Sequence, residues 1–123
     1  MSSATQLRMY RGDTPRFKGT VRDRATQALV DLTGYTIWMT AKLSKADADP
    51  GVFQLSTTAG SVVVSNQTTN KGEFVATPLP ANTNFLTADT LLFVDIQIKS
   101  PGGLVDTVVS TTLLVELEVT RTS

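Results

Sequence analysis

The stretch Thr90–Lys99 limits this chain more than any other. Leu92, Val94, Ile96 and Ile98 alternate with Phe93, Asp95, Gln97 and Lys99. A repeat of two places one set of side chains on each side of an extended backbone, whereas a helix would scatter both sets around its axis. The repeat returns in Tyr35–Leu43, where Ile37, Met39, Ala41 and Leu43 alternate with Thr36, Trp38, Thr40 and Lys42. It returns again at the end of the chain, where Leu113, Val115, Leu117 and Val119 alternate with Glu116, Glu118 and Thr120. No segment keeps a helical period. Threonine, valine and isoleucine supply 20, 13 and 3 of the 123 residues, and side chains branched at Cβ lose rotamers in helices but pack well on pleats.

Shorter segments complete the pattern. Gln6–Tyr10 is expected as a first strand, followed by a turn at Arg11-Gly12-Asp13. From Pro15 to Val21, Phe17, Gly19 and Val21 face inward while Arg16, Lys18, Thr20 and Arg22 face out. Val52–Ser56, Ser61–Ser65, Gly72–Thr77 and Leu104–Val109 are further strands, the last returning antiparallel after a Ser100-Pro101-Gly102-Gly103 loop. Pro78–Asp89 is expected to cross between sheets, with one helical turn around Ala81–Phe85. Eight or nine short strands with regular turns predict an all-β fold, an Ig-like antiparallel β-sandwich of about eight strands. One domain is expected over residues 1–123, with residues 1–10 as an extended arm or edge strand.

Composition excludes several kinds of chemistry. The chain has neither cysteine nor histidine, which removes disulfides, thiolate nucleophiles, imidazole bases and the usual zinc ligands. Asp47 and Asp49 flank Pro50-Gly51, but calcium takes six to eight oxygen ligands and a solvated turn is the expected reading. Glu116 and Glu118 lie about 6.5–7 Å apart along a strand, a spacing that suits paired carboxylates. An exposed strand face accounts for them without a cleft. No nucleophile elbow, phosphate loop or dinucleotide fingerprint occurs. The expectation is a protein that is not an enzyme and carries no metal or cofactor.

Eleven basic and eleven acidic residues cancel in the whole chain. They are unevenly placed: residues 1–45 hold eight Lys/Arg against three Asp/Glu, and residues 46–123 hold three against eight. Zero net charge speaks against a nucleic-acid partner. The polar start, Met1-Ser2-Ser3-Ala4-Thr5-Gln6, is followed by no apolar region of a secretory signal, and no apolar run is long enough to span a bilayer. Synthesis in the cytoplasm and no membrane partner are expected.

Two features remain to be placed. Arg11-Gly12-Asp13 invites an integrin reading, but Gly12 allows a positive φ and Asp13 can cap a turn, so a structural turn is expected. Trp38, the single tryptophan, points away from Ile37 and Met39. It either packs partly against neighbours or serves as an exposed anchor.

Together, Gly12-Asp13-Thr14 and the later run Val30-Asp31-Leu32-Thr33-Gly34-Tyr35-Thr36-Ile37 form a pattern G-D-T … D-L-T-G-x-x-I. It resembles the N-terminal domain of phage baseplate upper proteins and related small phage and prophage structural proteins. The later order of strands, turns and Pro/Ala connection fits too, so the resemblance covers nearly the whole chain. It implies an Ig-like domain in the virion, attached to other particle proteins and present as a homo-oligomer or a symmetric multi-copy assembly. This chain stops soon after the sandwich, without the helical and C-terminal parts of a baseplate upper protein. That points to an adaptor or accessory of tail, baseplate or neck, or to a capsid decoration protein. The candidate interface residues are Arg8, Arg11, Arg16, Lys18, Arg22 and Trp38. The other expectation is a host-surface or glycan-binding module with Trp38, Tyr35 and loop carboxylates as its platform.

Overall fold

The computed structural model describes residues 6–119. Eight strands follow one another as β1 (Leu7–Tyr10), β2 (Phe17–Thr20), β3 (Thr36–Lys42), β4 (Phe53–Ser56), β5 (Val62–Val64), β6 (Glu73–Ala76), β7 (Thr90–Lys99) and β8 (Val105–Glu116). One helical turn, α1 (Pro80–Thr83), interrupts the connection between β6 and β7. The fold is all-β. A five-stranded sheet has the order β1-β8-β7-β3-β4, and a three-stranded sheet has the order β2-β6-β5.

The alternation read in the sequence is what fills the interior. Ile37, Met39 and Ala41 of β3, Leu92, Val94, Ile96 and Ile98 of β7, and Leu113 and Val115 of β8 are buried. They join Phe74 and Ala76 of β6 and Val62 of β5 in one core cluster, with Phe17 packed against it. Gly19 is small because the ring of Phe74 lies where a Cβ would stand.

Three expectations are corrected. The large sheet is mixed, since β1 runs parallel to β8 with Leu7 opposite Leu113 and Tyr10 opposite Glu116. The parallel arrangement is sterically simple here because the two strands are the first and last, and everything between them serves as the crossover.

Second, Leu104–Val109 and the final segment are one strand. Its pairing with β7 slips at a bulge, where Ile96 stands opposite Val109 but Gln97 stands opposite Thr107. One extra residue reverses which side chains face inward from that point. Val105 therefore lies opposite Lys99 on the outer face and is exposed, whereas Asp106 lies opposite Ile98.

Third, the inward alternation ends at Val115, and Leu117 and Val119 are exposed. β7 begins at Thr90, opposite Val115, so no described strand pairs with the chain beyond on that side. The Leu117 N–H is instead taken up by Asp89 Oδ1 at 2.8 Å. Leu43 is exposed for the same kind of reason, standing one residue past the end of β3. Of the expected arm, residues 1–5 lie outside the described residues, as does Thr120.

Candidate functional site

The first turn is built from Arg11. Its backbone N–H donates to Glu116 O at 2.8 Å, extending the β1–β8 ladder by one bond. Its guanidinium then folds inward. It donates to Glu118 Oε1 from Nη2 at 2.7 Å and from Nε at 3.2 Å, and to the backbone oxygen of Leu86. Arg11 keeps only 8% of its surface exposed. The Gly12 N–H donates to Oγ1 of the fully buried Thr83 at 2.8 Å, and Gly12 has φ +78°. The Asp13 N–H closes the turn on Tyr10 O at 3.1 Å. The tripeptide thus ties β1, the α1 connection and the residues at the end of β8 into one knot. Arg11 and Glu118, expected on outer surfaces, are corrected to internal partners.

Beside this knot lies the outer edge of β1. Odd residues of β1 face β8 in the ladder, as the Arg11–Glu116 bond shows, so the backbone groups of Arg8 and Tyr10 point the other way. Tyr10 O is used by Asp13, and no described strand pairs with the rest of that edge. An open groove of about 720 Å³ runs along it, lined among others by Arg8, Tyr10, Asp13, Pro15 and Pro80. Arg8 extends into solvent with Nε 3.8 Å from Glu116 Oε1.

The basic residues in and beside β2 occupy another surface. Arg16, Lys18 and Arg22 are all exposed, as their outward parity requires. Lys18 Nζ lies 3.7 Å from Glu73 Oε2, and Arg22 Nη1 donates to Gln27 O at 3.0 Å. Lys18 shares a row with Val75 and the exposed Val63, across the three strands of the small sheet.

Trp38 stands on the outer face of the large sheet and is half-buried. It lies between Ser56 of β4 and Gln97 of β7. In the next row Thr40 lies between Gln54 and Asp95, and in the row after that Lys42 is opposite Phe93. Gln54 Nε2 donates to Thr40 Oγ1 at 3.0 Å and Gln97 Nε2 donates to Thr107 Oγ1 at 3.2 Å. Lys45 Nζ sits 5.5 Å from the Phe93 ring centre, and Lys42 Nζ pairs with Asp49 Oδ1 at 2.8 Å. A small hollow of about 130 Å³ is lined by Thr40, Lys42, Lys45, Phe93, Asp95 and Ser110. Partial burial pushes the Asp95 carboxyl above the ordinary carboxylate value, against the opposing pull of Lys42.

The six candidate interface residues therefore fall on separate surfaces. Arg8 and Trp38 share the outer face of the large sheet but stand on β1 and β3, with β8 and β7 between them. Arg16, Lys18 and Arg22 follow β2, and Arg11 is inside. Tyr35 packs against the core, so the glycan platform expected from Trp38, Tyr35 and loop carboxylates is not assembled as such. Asp47 accepts from the Ser44 N–H at 3.1 Å and Asp49 holds Lys42, which ties both loop carboxylates to their own loop and its strand.

Sequence reading missed Gln67 and Asp95. Gln67 Oε1 accepts from the Leu32 N–H and the Gly72 N–H, each at 2.8 Å, while its Nε2 donates to Ser65 O at 2.9 Å. A glutamine in a turn carries no spacing that announces such a role. Asp95 carried a signal, a carboxylate in the middle of the most apolar strand.

Compared with known proteins, the chain matches no family model and no curated protein.

Proposed function

We propose that this protein is a non-enzymatic bacteriophage virion structural protein with an Ig-like sandwich fold. It acts as an adaptor or accessory of the tail, baseplate or neck and docks on other particle proteins. Capsid decoration is the nearest alternative within the same reading.

The phage assignment is supported by the resemblance, and its motif residues do structural work. Gly12 seats the first turn on Thr83. Asp31 Oδ1 accepts from both the N–H and the hydroxyl of Thr33, at 3.0 and 2.7 Å. Leu32 is fully buried, and the Tyr35 N–H closes on Leu32 O at 3.0 Å across Gly34, whose φ is +78°. A pattern made of such turns marks a scaffold, and a scaffold works through its surfaces.

The docking half of the proposal is carried by one observation, the unpaired outer edge of β1 beside its groove. An edge strand with free N–H and C=O groups accepts an extended segment from a neighbour, with side-chain pockets setting the choice of partner. A four-residue edge gives modest affinity alone. Repetition on a symmetric particle multiplies it, which fits a protein present in many copies.

The test is mass spectrometry and cryo-electron microscopy of the purified particle, with re-addition of the protein to particles lacking it. The expected density places another virion protein along β1. Absence of the chain from purified particles would sink the proposal.

A further inference from the structure

The connection between β6 and β7 crosses one end of the molecule, the end at which β1 and β8 finish and β7 begins. Hydrogen bonds draw these pieces together there. Arg11 donates to the Leu86 backbone oxygen and to Glu118, the Gly12 N–H donates to Thr83, and the Leu117 N–H donates to Asp89.

This end is apolar on its outside. Ten large apolar side chains are exposed among the described residues, and five of them, Leu79, Phe85, Leu91, Leu117 and Val119, belong to these segments. Tyr10 borders them from the β1 groove. Leu104 and Val105 lie at the opposite end, where β8 begins. Leu79, Phe85, Leu91 and Leu117 keep 37–57% of their surface exposed, and Val119 is fully exposed. At about 150–250 Å² for a large side chain, those fractions leave about 500 Å² open to water. Apolar patches of that size serve binding, and with a polar rim this one approaches the roughly 800 Å² that each partner gives to a standard interface.

We infer that this end docks on the same end of a second copy of the chain, forming a two-fold dimer. Three observations select that occupant. The area suits one half of a standard interface. The charged groups within the patch are already engaged, Arg11 with Glu118 and Asp89 Oδ1 with the Leu117 N–H, so two such ends meet without stranding a cation. A membrane surface would call for exposed basic residues around the apolar ones, and Arg11 is internal. The third observation is the pattern of the last residues. Leu113, Val115, Leu117 and Val119 alternate in the sequence, yet only the first two are buried. Glu118 turns inward to Arg11, which leaves Leu117 and Val119 facing out. A two-fold neighbour supplies the interior that the large sheet does not, since its Leu79 and Phe85 are equally uncovered. An isologous contact of this kind closes on itself and leaves the β1 edge free for other partners.

The dimer is tested by sedimentation equilibrium at about 50 µM, where a micromolar dimer is mostly assembled. The parent is expected at twice 13.2 kDa. Phe85→Asp and Val119→Asp place a charge in the contact and are expected at 13.2 kDa. Both positions face water, so neither change disturbs the core, and thermal melting confirms folding. Leu104→Asp, at the opposite end, and Arg8→Pro, on the β1 edge, are expected to remain dimeric. A monomeric parent overturns the inference while leaving particle docking through β1 as it stands. Dimeric end variants overturn it too, as does dissociation by Leu104→Asp, which would mark a head-to-tail contact. So does a particle reconstruction in which a different protein covers Phe85 and Val119.

Discussion

Arg11 and Asp95 are charged residues held partly away from water, and the partner each has decides what its removal does. Arg11 is neutralised by Glu118 at 2.7 Å in a setting where little water reaches either group. Removing one member of such a pair leaves the other buried and uncompensated, so Arg11→Ala is expected to cost about 3 kcal/mol in urea unfolding. Asp95 behaves in the opposite sense. Its carboxyl titrates above its unfolded value of 3.8 because burial disfavours the charge. Native stability from this group is therefore fully present below that value and is lost as pH rises through the folded pKa. Asp95→Asn is expected to raise the melting temperature at neutral pH, and the gain should shrink toward zero near pH 3. A gain that grew on acidification would contradict the assignment. Gly19 makes a third case. Its alanine variant would press on Phe74, which is 1% exposed, and overpacking of this kind costs about 1–3 kcal/mol. The sequence showed Gly19 on an inward face, but only the packed structure showed which ring occupies the space.

Among the elements, the strands were far easier to read than the features that join or interrupt them. β3 and β7 declare themselves by alternation, and both lie inside the large sheet with partners on each side. The bulge opposite Ile96 and Gln97 was invisible, because Val108-Val109 has no special composition and the extra residue exists only relative to a partner strand. The ends of β8 and β3 were overextended for a related reason. Alternation continues in Leu117 and Val119 beyond the point where a neighbouring strand exists to give it an inside. The turns were legible in chemistry but not in reach. Asp31, Thr33 and Gly34 close their own loop, as read, whereas Gln67 holds Gly72 nearby and also reaches Leu32, which is distant in the chain. Gln67→Ala strands two N–H groups, of which Leu32 and Gly72 both belong to buried residues. It is expected to cost about 2–3 kcal/mol, with faster amide exchange at Leu32 and Gly72 as the local signature.

For the whole molecule, the decisive feature is how the chain closes. The first strand returns to lie beside the last, and the Arg11 knot fastens that closure to the α1 connection. This leaves β1 as an outer edge, and Arg8 as a residue whose N–H faces outward. Proline is tolerated on an edge strand where its missing donor faces solvent. Arg8→Pro is therefore expected to change stability by less than about 1 kcal/mol while abolishing re-addition of the protein to particles lacking it. The weak exposed pair between Arg8 and Glu116 at 3.8 Å contributes little to either result. Full particle binding by this variant would remove the β1 edge from the docking mechanism.

Local sequence alone settled that the backbone is extended, which faces of β3 and β7 supply the core, and that the turns at Gly12 and Gly34 are structural. Those properties depend on side-chain volume, polarity and backbone freedom within a few neighbouring residues. Tertiary structure alone decided that β1 is parallel to β8, that Arg11 is internal, and that Trp38, Asp95 and Phe93 share one face. Each of these depends on contacts between residues far apart in the chain, such as Arg11 with Glu118. Pairing energies of that kind leave no periodic trace in the order of amino acids.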